Sequence, residues 1–210
     1  MKLGIGIPYY KNSSECEVAF KKLMKTLEIQ LRDNTYLFIF EDGQTSTWLD
    51  GYKYDHVIIY RAGVNHGVAY ARNVLLDAMI KNYECDYILY IDSDDMLDCD
   101  FISTMIAAAN TGNYDMIISK FIWQKQEVHY AQRSNVVGVC LRVDFIKDIT
   151  FNEDYIISED TLFINEVYAR NPRIFITDSR YYYNYGINPN SLMMRYERSE
   201  IGMKKWKINY

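Results

Sequence analysis

At 210 residues, with 49% hydrophobic and 24% charged residues, the chain has the composition of an ordinary globular protein and not of a disordered one. Its formal net charge of -5 argues against a general polyanion binder, because non-specific nucleic-acid affinity comes mainly from phosphate neutralisation by Lys and Arg. A small anionic substrate is still compatible with that charge.

The chain opens with only Lys2 ahead of a short apolar strand that meets Pro8, which is too short for a signal peptide. No apolar run approaches a membrane span, so a cytoplasmic protein is expected. Short buried-strand patterns follow at LGIGI (3–7), YLFIF (36–40), HVIIY (56–60) and YILYI (87–91). Between them lie helical patterns. Ser14 with Glu17 fits a capping box ahead of Phe20, Leu23, Leu27 and Leu31, and a second amphipathic stretch runs from Val68 to Ile80. Strands alternating with helices predict an α/β fold whose ligand sits at the carboxyl ends of the strands. The glycines of GIGIPYY (4–10) lie inside the strand and Tyr9 holds the third glycine position, so no dinucleotide fingerprint is present.

Beyond residue 100 the patterns are less regular: a helix over 101–109, strands near DMIIS (115–119) and NVVGVCL (135–141), and a helix over 160–169. The four cysteines, Cys16, Cys85, Cys99 and Cys140, have no Cys-x-x-Cys spacing and read as small reduced core residues. The end of the chain is basic. Residues 192–210 hold Arg195, Arg198, Lys204, Lys205 and Lys207 against Glu197 and Glu200, a charge of +3 that leaves -8 for the rest. With Tyr196, Trp206 and Tyr210 this tail suits contact with a membrane surface or a polyanion, although a solvated terminal helix is the plainer reading.

The chemistry concentrates in YILYIDSDDMLDCD (87–100). If YILYI is a buried strand, Asp92 and Asp94 emerge at its carboxyl end and project to the same side. Two such carboxylates repel unless a cation lies beside them, and hard ions such as Mg²⁺ or Mn²⁺ take one or two protein carboxylates and complete their shell with substrate phosphates. An EF-hand loop is excluded, because Leu97 and Ser103 stand where Gly and Glu are needed. Asp98 and Asp100 read as caps for the helix that follows. In FNEDYIISEDTLF (151–163), Glu159 and Asp160 stand at a helix start, where they either stabilise its N-terminus or supply a general base.

Taken in order, these segments resemble the family 2 glycosyltransferases of the GT-A fold. The resemblance rests on Pro8-Tyr9-Tyr10, Glu41-Asp42-Gly43, NHGVAYARN (65–73), Asp92-Ser93-Asp94-Asp95 and Ser158-Glu159-Asp160. YYYNYGINPNSL (181–192) is similar to that family's tyrosine-rich segment ending in Asn-Ser. The resemblance implies a Rossmann-like mixed sheet flanked by helices in a single domain over 1–192, with a nucleotide-sugar half over about 1–100, an acceptor half over about 101–192, and 193–210 as a basic tail. It implies that Pro8 and Tyr10 line the nucleotide pocket, that Asp42 accepts a hydrogen bond from a uracil imide, and that His66 faces the base. Arg72 and Asn73 would border the donor, Asp92 with Ser93 would meet the ribose, and Asp94 would hold Mn²⁺ or Mg²⁺. Asp160 would be the catalytic base of an inverting reaction, with Glu159 orienting it or touching acceptor.

Departures from the family pattern bear on these roles. Glu41 replaces the commoner Asp and leaves Asp42 as the usable acid, while Asn184 stands where Arg or His is frequent. The Gln-x-x-Arg-Trp motif of processive members is absent, which favours transfer of a single sugar. The implied donor is a UDP-sugar, and the implied acceptor is a hydroxyl of a surface glycan, teichoic acid or lipid-linked saccharide. Alternatives are glycosylation of a hydroxylated base in phage-type DNA, a catalytically inactive nucleotide-sugar-binding module, or a nucleotidyltransferase. Trp123, Tyr130, Tyr181, Tyr182, Tyr183 and Tyr185 offer flat faces for sugar rings, with core packing as the default for each. The segment from Ile187 to Ser191 reads as a loop able to close over the donor.

Overall fold

The apolar runs of the first hundred residues become the parallel half of one sheet. A computed structural model describes residues 1–52, 55–128, 133–183 and 192–197, so Tyr130, Asn184, Tyr185, the loop over 187–191 and the basic tail beyond 197 lie outside the described residues. Strands β1 (Leu3–Tyr9), β2 (Thr35–Asp42), β3 (Val57–Ala62) and β4 (Tyr87–Tyr90) run parallel in the order β3-β2-β1-β4. Leu3, Ile5, Ile7, Leu37, Ile39, Ile88 and Leu89 are all buried, as expected of strands covered on both faces.

The sheet continues with β5 (Met96–Leu97), β6 (Met116–Trp123), β7 (Gln126–Val128), β8 (Val139–Arg142) and β9 (Ile174–Tyr183). Its order, β3-β2-β1-β4-β8-β6-β9-β5 with β7 beside β6, mixes parallel and antiparallel pairs and gives the mixed α/β architecture that the sequence predicts. Helices α1 (Ser14–Gln30), α2 (Val68–Asp77), α3 (Phe101–Asn110), α4 (Val143–Ile146), α5 (Glu159–Ala169) and α6 (Leu192–Glu197), with a 3-10 turn over Thr47–Gly51 and a π turn over Ala78–Asn82, complete the described elements. Because β2 lies on one side of β1 and β4 on the other, the crevice between β1 and β4 is a topological switch point at the strands' carboxyl ends. No described helix is long and apolar enough to cross a membrane.

Local readings change at several positions. The cap of α1 is Ser13, whose Oγ accepts from the Cys16 amide at 3.2 Å, and not Ser14; Glu17 instead pairs with Lys11 and Lys21, both at 2.5 Å. Helix α2 stops at Asp77 and passes into a single π turn over Ala78–Asn82, inside the stretch expected to be helical to Ile80. Strand β8 is shorter than NVVGVCL because Gly138 has φ +68°, a left-handed conformation that breaks the extended run before Val139. Asp100 occupies the cap position of α3 but makes no side-chain cap; the buried amide of Gln30 does so, its Oε1 accepting from Ile102 N at 2.9 Å. Asp98 instead accepts from the Arg180 amide at 2.9 Å and the Tyr182 hydroxyl at 2.7 Å. Three cysteines are buried as expected, whereas Cys99 is exposed.

The glycines of β1 serve close packing. A Cβ on Gly4 would stand 2.7 Å from Met79 Sδ, and one on Gly6 would stand 2.9 Å from Cε1 of Tyr90. The Tyr90 ring cannot swing away freely, since its hydroxyl donates to the Arg72 carbonyl at 2.8 Å. Gly6→Ala is therefore expected to destabilise the protein by about 1–3 kcal/mol, the usual range for overpacking a core, measured as a lower urea midpoint at unchanged slope.

Candidate active site

The carboxyl ends of β1, β2 and β4 share one rim of the sheet, and α2 and α5 begin above it. At the end of β1, Pro8 is half-buried opposite Phe40 of β2, Tyr9 is buried, and Tyr10 is 40% exposed with its ring against Gly43. Gly43 has φ +112°, and a Cβ there would lie 3.1 Å from the Tyr10 ring, so the turn after β2 can take only glycine comfortably.

Glu41 and Asp42, successive residues of one strand, take different tasks. Glu41 is buried, accepts from the Ser46 amide and pairs with Arg61 Nε at 2.9 Å, which is a structural role. Asp42 is also buried, with Oδ1 accepting from the His66 amide at 2.8 Å and Oδ2 from the Gly67 amide at 2.9 Å. It thus closes the loop that begins α2, at the helix end where a carboxylate is favoured. His66 keeps its ring at the surface, stacked on Tyr70 with centroids 4.5 Å apart.

A second group, more strongly charged, centres on Arg72. This side chain of α2 is 3% exposed. Its Nη2 donates to Asp92 Oδ1 at 2.9 Å, its Nη1 donates to Glu159 Oε1, and its guanidinium lies 5.7 Å from the Phe151 ring centre. Burial alone would lower its pKa, but Asp92, Glu159 and Asp160 more than offset that and keep it charged. Asn73 performs the matching task on the outer side: its amide donates to Phe151 O at 2.9 Å and Glu153 Oε1 at 2.8 Å, and its oxygen accepts from Phe151 N at 2.8 Å. One helical turn therefore ties the end of β4 to the segment that leads into α5.

The start of α5 depends on Ser158, which holds a left-handed conformation at φ +69°. Such a conformation costs a non-glycine residue about 1–2 kcal/mol and recurs at functional sites. It turns the chain so that Glu159 is buried against Arg72 while Asp160, half-buried, accepts from the Thr161 amide at 2.8 Å. Burial raises the Glu159 carboxyl to about 7 despite Arg72, and burial likewise raises Asp160, with the charge of Asp92 adding to the effect. Asp94 is pushed up to about 6 by burial and by the neighbouring Asp92. Ser93 between them is buried.

The structure thus forms two groups, Tyr10, Asp42 and His66 on one side and Arg72, Asp92, Asp94, Glu159 and Asp160 on the other. Sequence reasoning did not find the contribution of Tyr181, which hydrogen-bonds to both Asp92 and Asp95 from β9. The half-buried Tyr183, next but one along that strand, was read as core by default. Its hydroxyl stays protonated, held so first by burial and then by the charges of Asp92, Asp95, Asp94 and Asp160. The tyrosine run was the only signal, and it does not say where the strand goes.

Among the described residues no group of three or more His, Cys, Asp or Glu forms a closed metal centre. What is present is Asp94 with Asp92 beside it, a donor set that fits a hard divalent ion completing its shell on ligand phosphates. It does not fit a zinc site of nitrogen and sulfur ligands.

The chain superposes on S. aureus TarS with a TM-score of 0.72 at 19% identity, covering 87% of this chain and 36% of that one. S. aureus TarS 1-349 in complex with UDP-GlcNAc gives a TM-score of 0.73 at 20% identity, over 87% and 58% of the two chains. The mannosyltransferase PcManGT from Pyrobaculum calidifontis, in complex with GDP-Man and Mn²⁺, gives 0.64 at 9% identity, over 89% and 58%. The fold is that of the GT-A glycosyltransferases, and the chain spans from about a third to three-fifths of the length of the structures it matches. Residues 5–164 match the model of Glycosyl transferase family 2, and the chain belongs to that family. No curated protein matches the sequence significantly.

Two outcomes follow from the electrostatics. The folded-state values of Asp94, Glu159 and Asp160 lie above those of the unfolded chain, so their contribution to stability is complete below the ordinary carboxylate range and is lost as pH rises through the folded values, about 6 for Asp94 and about 7 for Glu159. Urea unfolding of the ligand-free protein should give a stability from these groups that declines between about pH 4 and about pH 7. Arg72→Met should cost about 3–5 kcal/mol at neutral pH by leaving the buried Glu159 and the half-buried Asp92 without this partner. That loss should shrink toward about pH 5, where Glu159 can take up a proton.

Proposed function

We propose that the protein transfers a single sugar, with inversion, from a nucleotide-diphosphate sugar to a hydroxyl of a glycan, teichoic acid or lipid-linked saccharide. The observation that carries this reading is the buried Arg72, which brings the Asp92–Asp94 pair and the Glu159–Asp160 pair to one crevice. A UDP-sugar is the preferred donor: Tyr10 offers an exposed ring beside Gly43, and His66 and Asp42 stand across the same rim. TarS in complex with UDP-GlcNAc supports that choice, and the mannosyltransferase in complex with GDP-Man and Mn²⁺ supports a divalent ion.

In this reading residues 1–100 hold the donor and residues 101–192 border the acceptor. Asp94, with Asp92 beside it, would hold Mn²⁺ or Mg²⁺ and Asp92 with Ser93 would meet the ribose. The bound ion would neutralise charge on the departing diphosphate. Asp160 accepts the proton of the acceptor hydroxyl while that oxygen forms its bond to the anomeric carbon; the bond to the diphosphate breaks and the diphosphate leaves with its electron pair. A single displacement inverts the anomeric centre and needs no nucleophile from the protein. Glu159, fixed by Arg72, sets the direction of the first turn of α5 and thereby of Asp160. Arg72 itself is enclosed, so it acts by holding acids in place and not by touching sugar.

A panel of nucleotide sugars with Mn²⁺ or Mg²⁺, read by thermal shift and by release of nucleoside diphosphate, tests the proposal. A donor bound only by the folded state raises its apparent stability, by about 2.7 kcal/mol at a hundredfold excess over Kd. The expected result is stabilisation by a UDP-sugar with metal, lost in Asp94→Ala. Asp160→Asn should keep that stabilisation and lose roughly 10²–10⁴-fold in kcat. Absence of any stabilising donor defeats the reading, and full transfer by Asp160→Asn removes that residue as the base.

A further inference from the structure

Tyr181 is fully buried, yet its hydroxyl is committed to the aspartates of the site. It donates to Asp95 Oδ2 at 2.5 Å and accepts from the Asp92 amide at 3.0 Å. One phenol therefore grips both ends of the turn that carries Asp94, a turn closed by Asp95 N donating to Asp92 O at 3.2 Å. Just beyond, β5 pairs antiparallel with Tyr181 and Tyr182 of β9, and the Asp98 amide donates to Arg180 O at 3.1 Å.

The ring has little freedom of its own. It lies parallel to Phe121 with centroids 6.0 Å apart and an interplanar angle of 5°, and Phe101 stands 6.1 Å away. On another side it meets Gly138, where a Cβ would approach ring atom Cδ2 to 2.8 Å. The position is thus built from β6, β9 and the glycine before β8 together.

We propose that Tyr181 is a positioning residue for the donor-binding aspartates, its hydroxyl fixing the Asp92–Asp95 turn so that Asp92 and Asp94 are held together before any ligand arrives. This rests on the function proposed above. The physical need is plain: two like charges two residues apart favour backbone rotations that separate them, and nothing in the strand itself prevents this. A turn already pinned by a distant strand binds its ligand without first having to be ordered. Tyr182, the next residue, makes a phenol–carboxylate contact of the same kind to Asp98, outside the pair, and provides a matched control.

Tyr181→Phe keeps the ring and removes only the pin. Three quantities are measured in the full chain for this variant, for Tyr182→Phe and for the wild type. They are amide exchange at Asp92, affinity for Mn²⁺ in the presence of UDP by calorimetry, and the KM for Mn²⁺ against kcat in transfer. In Tyr181→Phe, Asp92 should exchange faster, and the Mn²⁺–UDP Kd and the KM for Mn²⁺ should rise about tenfold, the scale of one hydrogen bond to an ionised group, with kcat changed by less than about twofold. Tyr182→Phe should match the wild type in all three. Unchanged Mn²⁺–UDP affinity in Tyr181→Phe overturns the proposal, and so does an equal loss in both variants, which would mark a general loss of stability. A wild type that takes up no Mn²⁺–UDP defeats the function proposed above as well, whereas a wild type and a Tyr181→Phe variant that bind equally defeat this inference alone.

Discussion

The site depends on one buried guanidinium. Arg72 spans from Asp92, 20 residues away in the chain, to Glu159, 87 residues away, and so joins the two acidic segments directly. Such an arrangement is not chiefly a source of stability, because the desolvation of buried ions roughly cancels their attraction. Its value is geometric. A planar fork can hold two carboxylates in fixed directions where an ammonium would act as a point charge, so lysine is a poor substitute here. The surrounding contacts are arranged to keep the fork still: the Tyr90 hydroxyl holds the Arg72 carbonyl, and Asn73 brackets residues 151 to 153.

Much of this fold is legible in the sequence because its first half is a buried parallel sheet, and such strands must be written as short apolar runs. LGIGI, YLFIF, HVIIY and YILYI each lie within or overlap a strand, and the acids at their ends fall on one rim. What was not legible has a common cause, since it depends on partners far away in the chain. Strand β9 carries three exposed apolar residues, Ile174, Phe175 and Ile176, then alternates, so neither a continuous run nor a clean period announces it. The amide that caps α3 comes from Gln30 at the end of α1, 72 residues earlier. Arg72 could be recognised as a member of a segment but not as a bridge, because both of its partners come from elsewhere.

The aspartate cluster after β4 divides in a way its sequence could only partly give. Asp92 pairs with Arg72 and lies close to Asp94, while Asp95 turns inward to Tyr181 and Asp98 turns to the backbone and side chain of β9. The division follows the chain's change of direction: once the strand ends and Asp95 closes a turn onto Asp92, alternate residues no longer share a face. Spacing alone therefore singles out the first pair as candidates and does not show what anchors it.

In the function proposed above, the same charges would make this crevice suit a metal-bound diphosphate better than a bare anion. Asp92, Glu159 and Asp160 act on the buried cation Arg72, which is already committed to Asp92 and Glu159, and Asp94 adds its charge beside Asp92. The excess shows in Asp94, Glu159 and Asp160, which burial and neighbouring negative charge hold above their ordinary range. A diphosphate brought alone to such a place would add negative charge to negative charge. A divalent ion held by Asp94 with Asp92 would reverse the sign of the encounter, and its charge would favour the ionised form of Asp160, in which it can take a proton. In the function proposed above, donor binding and preparation of the base would then be one electrostatic event.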